Sequence, residues 1–392
     1  NTLPGIRAGT LARVKGTSEP GAKAKDLVNL AINVVVTEDD CGTKNGVSMP
    51  TKNIDCEGRY LGEDTTIGGT LYKRNTLMTV ESMKEIQKHI SEIKLRSPLT
   101  CLLTRGVCKK CQGFNEHGRD YNVGENAGVN AAQSMSEPLT QMAMRLFHSG
   151  GSANGAGAKM GNQLDRLSEL FEMPQTLRDK AVITTVDGSV VNIKEDDVAG
   201  GYFVQIGETE FKIPSGKQLS VKIGDTVKKG QALCDGPVNP HELLEVGGMP
   251  MARDYLLKEM SQIYGSYGVR QRHVETVLRN LTNMVEVVED PEFEFVPGEV
   301  IARTQMLRTN AERNVSKKKL IVAKDTLKRI NEAVQVNTEN DFLAGLNYQE
   351  IRDVITEGAA LGAKSNLHGI NPLPGIAYGS EFGMKQSATG VY

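Results

Sequence analysis

The sequence predicts an α+β, multidomain chain, and three observations carry that reading. Four of the six cysteines, Cys41, Cys101, Cys108 and Cys111, have the spacing of a metal site. Runs of helical periodicity lie on either side of a glycine-rich tract at 150–161, and short alternating strands with Gly and Asp turns follow them. At 392 residues the chain exceeds what one core usually serves. The predicted parts are therefore a four-cysteine zinc-binding region, a helical hairpin, a small β-barrel or sandwich, and a C-terminal helical segment.

Composition narrows the class. Charged residues make up 24% and hydrophobic ones 39%, which suits a folded, water-soluble protein. No stretch approaches the ~20 apolar residues of a spanning helix and no secretory leader opens the chain, so the expectation is no membrane and a cytoplasmic address. Lys and Arg number 46 against 48 Asp and Glu, so contact with nucleic acid must come from local patches. Aromatics at 5%, with no Trp, argue against a base-stacking platform.

Five segments follow in order. In 1–36, Asn1 to Lys15 reads as a loop entering a short basic helix, and Asp26 to Val36 passes from amphipathic helix to strand. The run has no initiator Met, which suggests a fragment or a split gene product. Segment 37–122 holds five of the six cysteines. In 123–175, Gly128 to His148 reads as two short helices punctuated by Pro138, and a third helix, Gln163 to Glu172, follows the glycine tract and stops before Pro174. In 176–246 the strands alternate from Ala181 to Val246. In 247–392, Met251 to Gln262, His273 to Asn283, Asp325 to Val334 and Asn347 to Leu361 read as helices, and Phe293 to Ile301 as a strand.

Zinc calls for a closed tetrahedron of sulfur ligands, and the Cys108-x-x-Cys111 knuckle supplies two from one tight turn. Gly106 and Gly113 permit that turn, while Lys109 and Lys110 are placed to lower the thiolate pKa values. Spacing alone admits Cys56 in place of Cys41, and a pair of buried or redox-active thiols is the plainer alternative. Cys234 reads as a core residue.

Gln141, Met144, Arg145 and His148 fall within roughly 100° of one helix face. A solvated face is the default reading of such a set. The same residues suit a nucleotide: Arg for phosphate, His for proton donation, Met against a base, Gln at a sugar hydroxyl. The glycine tract directly after His148 is what a closing lid requires.

The run NVGENAGVNAAQSMSEPLTQMAMRLFHSGG at 122–151 strongly resembles the trigger-loop region of the largest catalytic subunit (β′) of bacterial multisubunit RNA polymerases. VVVTEDDCGT at 34–43 and LRSPLTCLLTRGVCKKCQG at 95–113 resemble that subunit's four-cysteine zinc site. LDRLSELFEMP at 164–174 is similar to its second trigger helix. GDTVKKGQALCDGP at 224–237, VRQRHVETVLRNL at 269–281 and the stretch from Leu346 to Gly379 resemble its jaw and C-terminal clamp-base segments. Residues 5–30 are similar to the loop and helix that follow the bridge helix.

The resemblance implies roles residue by residue. Arg145 and His148 would contact the triphosphate of the incoming nucleotide, with His148 acting toward the pyrophosphate. Gln141 would meet the ribose and Met144 the base, and Gly150 and Gly151 would begin the hinge. It implies a structural Zn2+ on Cys41, Cys101, Cys108 and Cys111. Catalytic Mg2+ would sit on a partner chain, because no Asp-x-Asp-Gly-Asp run occurs here. Expected partners are β-like subunits, an N-terminal β′-like subunit, a promoter-specificity subunit, template DNA, nascent RNA and NTPs. Ser136 and Leu139 stand where the family usually has glycine. The short loop tip and the divergent middle resemble the split polymerases of giant bacteriophages, which implies the cytoplasm of an infected bacterial host. The alternative is a stand-alone zinc-binding, nucleic-acid-binding module with basic stretches such as Lys317 to Lys319. The Gly224 to Leu233 pattern also suggests a carrier-type hairpin, without a Met-Lys-Met acceptor turn.

Overall fold

A computed structural model describes residues 18, 20–148, 156–196, 200–339, 341–346, 351–365, 367 and 369–378. The first described helix, α1, spans 20–31 and buries Leu27, Leu30 and Ala31. The chain then turns into β1 (Val36–Glu38), whose partner is distant in sequence.

The cysteine-bearing region is built from short strands. β2 (Val47–Pro50) pairs antiparallel with β5 (Glu92–Leu95), and β3 (Thr65–Ile67) with β4 (Thr70–Tyr72). α2 (Val80–Ile86) closes this unit with a capping box from Thr79 and Ser82. Met49, Leu61, Met78, Ile86 and Leu95 form its own small core. β6 (Val107–Cys108) returns to lie parallel to β1, and the one-turn helix α3 (Lys109–Gln112) follows it.

α4 (Ala127–His148) is one continuous helix with Pro138 inside it, not two short ones. Proline removes one intrahelical hydrogen bond, yet Ala131, Ala132, Met135, Leu139 and Met142 continue one buried stripe across it. Packing of that stripe outweighs the lost bond. α5 (Ala156–Glu172) packs against α4 and begins seven residues before the predicted Gln163. The end of the glycine tract is thus helical.

The β-rich part is a four-stranded antiparallel sheet in the order β10–β7–β8–β9. Its strands are β7 (Gly188–Glu195), β8 (Tyr202–Ile206), β9 (Thr209–Ile213) and β10 (Thr226–Val227). The isolated bridges Ile183↔Ala232 and Leu219↔Cys234 lie outside these strands. The strands stop earlier than predicted, because Asn239 caps a helix, α6 (Pro240–Gly265), that bends at Gly248, where φ is +74°.

α7 (Gln271–Leu281) is the hub. Nine of its residues, from Arg272 to Leu281, are buried, and it packs against α4, α6 and the turn at Pro98–Thr100. β11 (Met284–Glu289) then forms the centre of a three-stranded sheet with β12 (Val300–Ala302) and β13 (Val322–Asp325) on either side. α8 (Arg303–Val315) connects the outer strands. The predicted strand at Phe293 to Ile301 is mostly a loop. The carboxylate of Asp290 accepts the amides of Glu292, Glu294 and Phe295, and Phe293 is exposed in the left-handed region. α9 (Ile330–Asn337) starts five residues later than the predicted Asp325, which ends β13. α10 (Phe342–Gly345), α11 (Ile351–Leu361) and α12 (Leu373–Tyr378) complete the described chain.

An amide network joins these parts. Asn280 donates to Leu30 O and Asn33 Oδ1, Asn33 donates to Asn337 O, and Asn283 donates to Asn337 Oδ1 at 2.9 Å. Buried amides satisfied in this way fix α1, α7 and α9 against one another.

Candidate metal centre and exposed helix face

Local folding explains why four distant cysteines meet. β1 pairs in parallel with β6, with Val36 opposite Val107 and Glu38 opposite Cys108, so the chain leaving β1 toward Cys41 runs beside the knuckle. Gly106 makes the approach possible: its φ is +64°, and a Cβ there would stand 2.2 Å from Val35 O. The sulfur of Cys108 caps α3, accepting the Cys111 amide at 3.4 Å. Arg279 holds the loop carrying Cys101, donating to the carbonyls of Pro98 at 2.6 Å, Cys101 at 3.1 Å and Gly106 at 3.3 Å.

The four Sγ atoms of Cys41, Cys101, Cys108 and Cys111 all lie within 4.8 Å of one another. Cys41 and Cys111 are 3.7 Å apart, close to the ~3.8 Å edge of a sulfur tetrahedron with metal–sulfur bonds of ~2.3 Å. As free thiols they conflict. Hydrogen bonding with Cys101 holds Cys41 below the ordinary thiol range and pushes Cys108 and Cys111 above it, while bonding with Cys108 holds Cys101 at about 7. A divalent ion among them removes the conflict by taking all four as thiolates. The donor set fits structural zinc. Cys56, the alternative ligand on spacing, is buried elsewhere with its thiol 3.4 Å from Pro50 O, and Cys234 accepts the Val182 amide in the β-rich core.

The cation at the sulfurs is not the one predicted. Lys109 pairs with Asp39 at 2.6 Å and Lys110 with Asp40 at 3.2 Å. Arg96, fully buried, instead places Nη2 3.3 Å from Cys41, 3.4 Å from Cys108 and 3.3 Å from Cys111. The sequence signal was an arginine five residues before Cys101, in Arg96-Ser97-Pro98, inside a segment otherwise read for its cysteines alone.

A second charged cluster anchors this region to α7. Asp55 accepts from Nε of Arg272 at 2.7 Å and also pairs with Arg59. Arg59 Nη1 donates to Glu275 at 2.7 Å, and Ser97 donates to the same oxygen at 2.7 Å. All four charged groups are buried and balance two against two. Burial alone raises the Asp55 pKa, but the charges of Arg59 and Arg272 hold it below the ordinary carboxylate value.

On α4, Met142 and Ala143 face the core, while Gln141 and Met144 face outward. Gln141 donates to Glu137 at 3.0 Å, and Met144 is 41% exposed. Arg145 and His148 belong to the last turns of α4, and their side chains lie outside the described residues. Gly150 and Gly151 also lie outside them. Two of the four predicted nucleotide-facing side chains are therefore located, and both are on the exposed face.

The model of the family RNA polymerase Rpb1, domain 5, matches residues 5–196 and 190–293. The chain belongs to this family. The Rpb1 domain 5 match takes in all four clustered cysteines, α4, α5 and α7. The chain is similar to proteins named DNA-directed RNA polymerase subunit beta'. One from Oceanobacillus iheyensis is 34% identical over 386 residues, 93% of this chain and 32% of that protein. One from Halalkalibacterium halodurans is 34% identical over 389 residues, 93% and 31% of the two chains. One from Thermus aquaticus is 34% identical over 394 residues, 93% and 25%. The chain thus spans between a quarter and a third of the length of these relatives. No described helix is long and apolar enough to cross a membrane.

Proposed function

We propose that this Rpb1 domain 5 chain is the part of a DNA-dependent RNA polymerase β′ subunit that supplies the trigger loop, with α4 and α5 as its two helices. The observation that carries the reading is the family match across α4 and α5, on a helix whose Gln141 and Met144 are exposed opposite a buried stripe. The β-rich sheet serves as a jaw and the segment 247–392 as a clamp base. The domain division follows the five predicted segments. Zinc on Cys41, Cys101, Cys108 and Cys111 ties β1 to the knuckle and supplies no chemistry to the reaction.

The reaction is nucleotidyl transfer. The 3′-oxygen of the nascent RNA bonds to the α-phosphorus of an NTP and gives up its proton to solvent water, and the bond from that phosphorus to the pyrophosphate oxygen breaks. Catalytic Mg2+, which the N-terminal β′-like partner would hold, would supply charge stabilisation to the reacting phosphate. On this chain, Arg145 pairs with the triphosphate, and His148 gives a proton to the departing pyrophosphate. Gln141 meets the ribose and Met144 packs on the base. The hinge begins at Gly150 and Gly151. β-like subunits, a promoter-specificity subunit, template DNA and nascent RNA complete the assembly. A split subunit of giant-bacteriophage type, working in the cytoplasm of an infected host, is supported by the few residues, 149–155, between α4 and α5 and by the divergent middle of the sequence.

The test is to isolate the natively expressed chain with what accompanies it and assay template-dependent NTP incorporation. Companion chains resembling β and N-terminal β′, with Mg2+-dependent synthesis, support the reading. A lone zinc-loaded protein that binds nucleic acid and recruits no such chains replaces it with the stand-alone module.

A further inference from the structure

We infer that Arg96 is a positioning residue for the metal centre, a buried guanidinium that offsets the charge of the cysteine ligands and holds three of their sulfurs in place. The inference rests on the zinc reading above. Arg96 is divided between two tasks. Its Nη1 donates to Asp40 at 2.5 Å and to the side-chain oxygen of Asn75 at 2.7 Å, which fixes the plane of the group. Its Nη2 contacts sulfur on Cys41, Cys108 and Cys111 at 3.3 to 3.4 Å, while its buried Nε has no hydrogen-bond partner among the described residues.

A fully buried cation costs free energy unless charge and hydrogen bonds compensate it. Neutral thiols are weak acceptors and would compensate poorly. Four thiolates around one divalent zinc leave a net double negative charge, and N–H groups directed at those sulfurs are then charge-assisted. Lys109 and Lys110 are already committed to Asp39 and Asp40. A simple structural ion pair with Asp40 accounts for Nη1 and leaves the three sulfur contacts of Nη2 unexplained.

The consequence is measurable on the full chain. Zinc affinity is read by competition with a chromogenic chelator, and the ligand field by replacing Zn2+ with Co2+ and recording the sulfur-to-cobalt charge-transfer band. Arg96→Met should weaken zinc binding about ten- to a hundredfold and move the cobalt band to longer wavelength, because sulfurs without N–H donors are stronger electron donors. Arg96→Lys restores a cation and should recover part of both losses. Asn75→Gly removes one anchor of the guanidinium at a residue whose φ of +68° glycine accepts, and should shift both readouts in the same direction by less.

If Arg96→Met does not fold, Arg96→Lys and Asn75→Gly decide. Wild-type zinc affinity and an unmoved cobalt band in the folded variants overturn the role of Arg96 while leaving the zinc site standing. A wild-type chain that takes up no zinc removes the site itself and overturns both readings.

Discussion

The carboxylate of Asp55 and the guanidinium of Arg272 meet at 2.7 Å across 217 residues of sequence, both buried. Asp55 also accepts the Arg272 backbone amide at 2.9 Å, so one side chain orients the first turn of α7 and neutralises its arginine. This junction, with Arg59 and Glu275, attaches the cysteine-bearing region to the helical core.

Removing Asp55 leaves two buried arginines short of an anion. Asp55→Ala should therefore destabilise the chain by about 3–5 kcal/mol, the usual cost of breaking a buried pair from one side. Urea unfolding measures it, and a loss under about 1 kcal/mol would show that the cluster contributes little.

The same carboxylate sets an acid limit. A group whose pKa is lower folded than unfolded contributes stability that is fully present above its unfolded value, about 3.9 for Asp, and is lost as pH falls through the folded value. Asp55 is held below that value, and Asp40 is held at about 2 by the Gly42 amide and Arg96 against the effect of burial. The unfolding midpoint should be level above about pH 5 and fall below about pH 4. Asp55→Asn should flatten part of that fall, and an identical acid profile in the variant would remove Asp55 from the account.

Gly128 sits where α4 starts against the end of α1. A Cβ there would stand 1.8 Å from the carbonyl oxygen of Ala31, whereas one on Gly265 of α6 would meet nothing within 4 Å. Gly128→Ala should cost about 1–3 kcal/mol, and Gly265→Ala should stabilise by up to about 1 kcal/mol. Denaturation of the two variants side by side checks the close approach; equal effects would rule it out.

Zinc content separates ligand from core cysteine. Cys108→Ser should lose bound zinc and unfold more readily, while Cys234→Ser and Cys56→Ser should keep one zinc per chain. Elemental analysis of the purified variants reads this directly, and full zinc in Cys108→Ser would defeat the ligand set.

In the polymerase assembly proposed above, Arg145→Ala and His148→Ala should slow single-nucleotide addition by about a hundredfold or more, the scale of general acid and charge-stabilising contributions, with template binding nearly unchanged. Rapid-quench kinetics beside a DNA-binding titration distinguishes the two. Parallel losses in both would point to a structural role.

How much of this was legible in the sequence depended on range. The Cys108-x-x-Cys111 knuckle is local, so its chemistry could be read from four residues, and the exposed positions of Gln141 and Met144 followed from helical spacing. Arg59, Arg96, Arg272 and Glu275 could not be read as buried, because a charged side chain in sequence is ordinarily a surface residue and, apart from Asp55 four residues before Arg59, their charged partners lie far away. Pro138 read as a break because the packing that carries α4 past it is tertiary. The alternation in Phe293 to Ile301 imitated a strand, but the carboxylate of Asp290 folds that segment into a turn and Pro297 and Gly298 extend it.

Arg279 has a consequence for synthesis. It reaches back 178 residues to the carbonyl of Cys101, so the loop bearing that ligand stays without its brace until α7 has been made. At ordinary elongation rates of about 5–20 residues per second, the interval is roughly 10–35 s. During that time the cysteine-bearing segment has left the ribosome with its thiols close together, with Arg59 still without Glu275 and Asp55 still without Arg272. Metal captured early would act as a temporary staple, holding the segment together until the distant helix arrives.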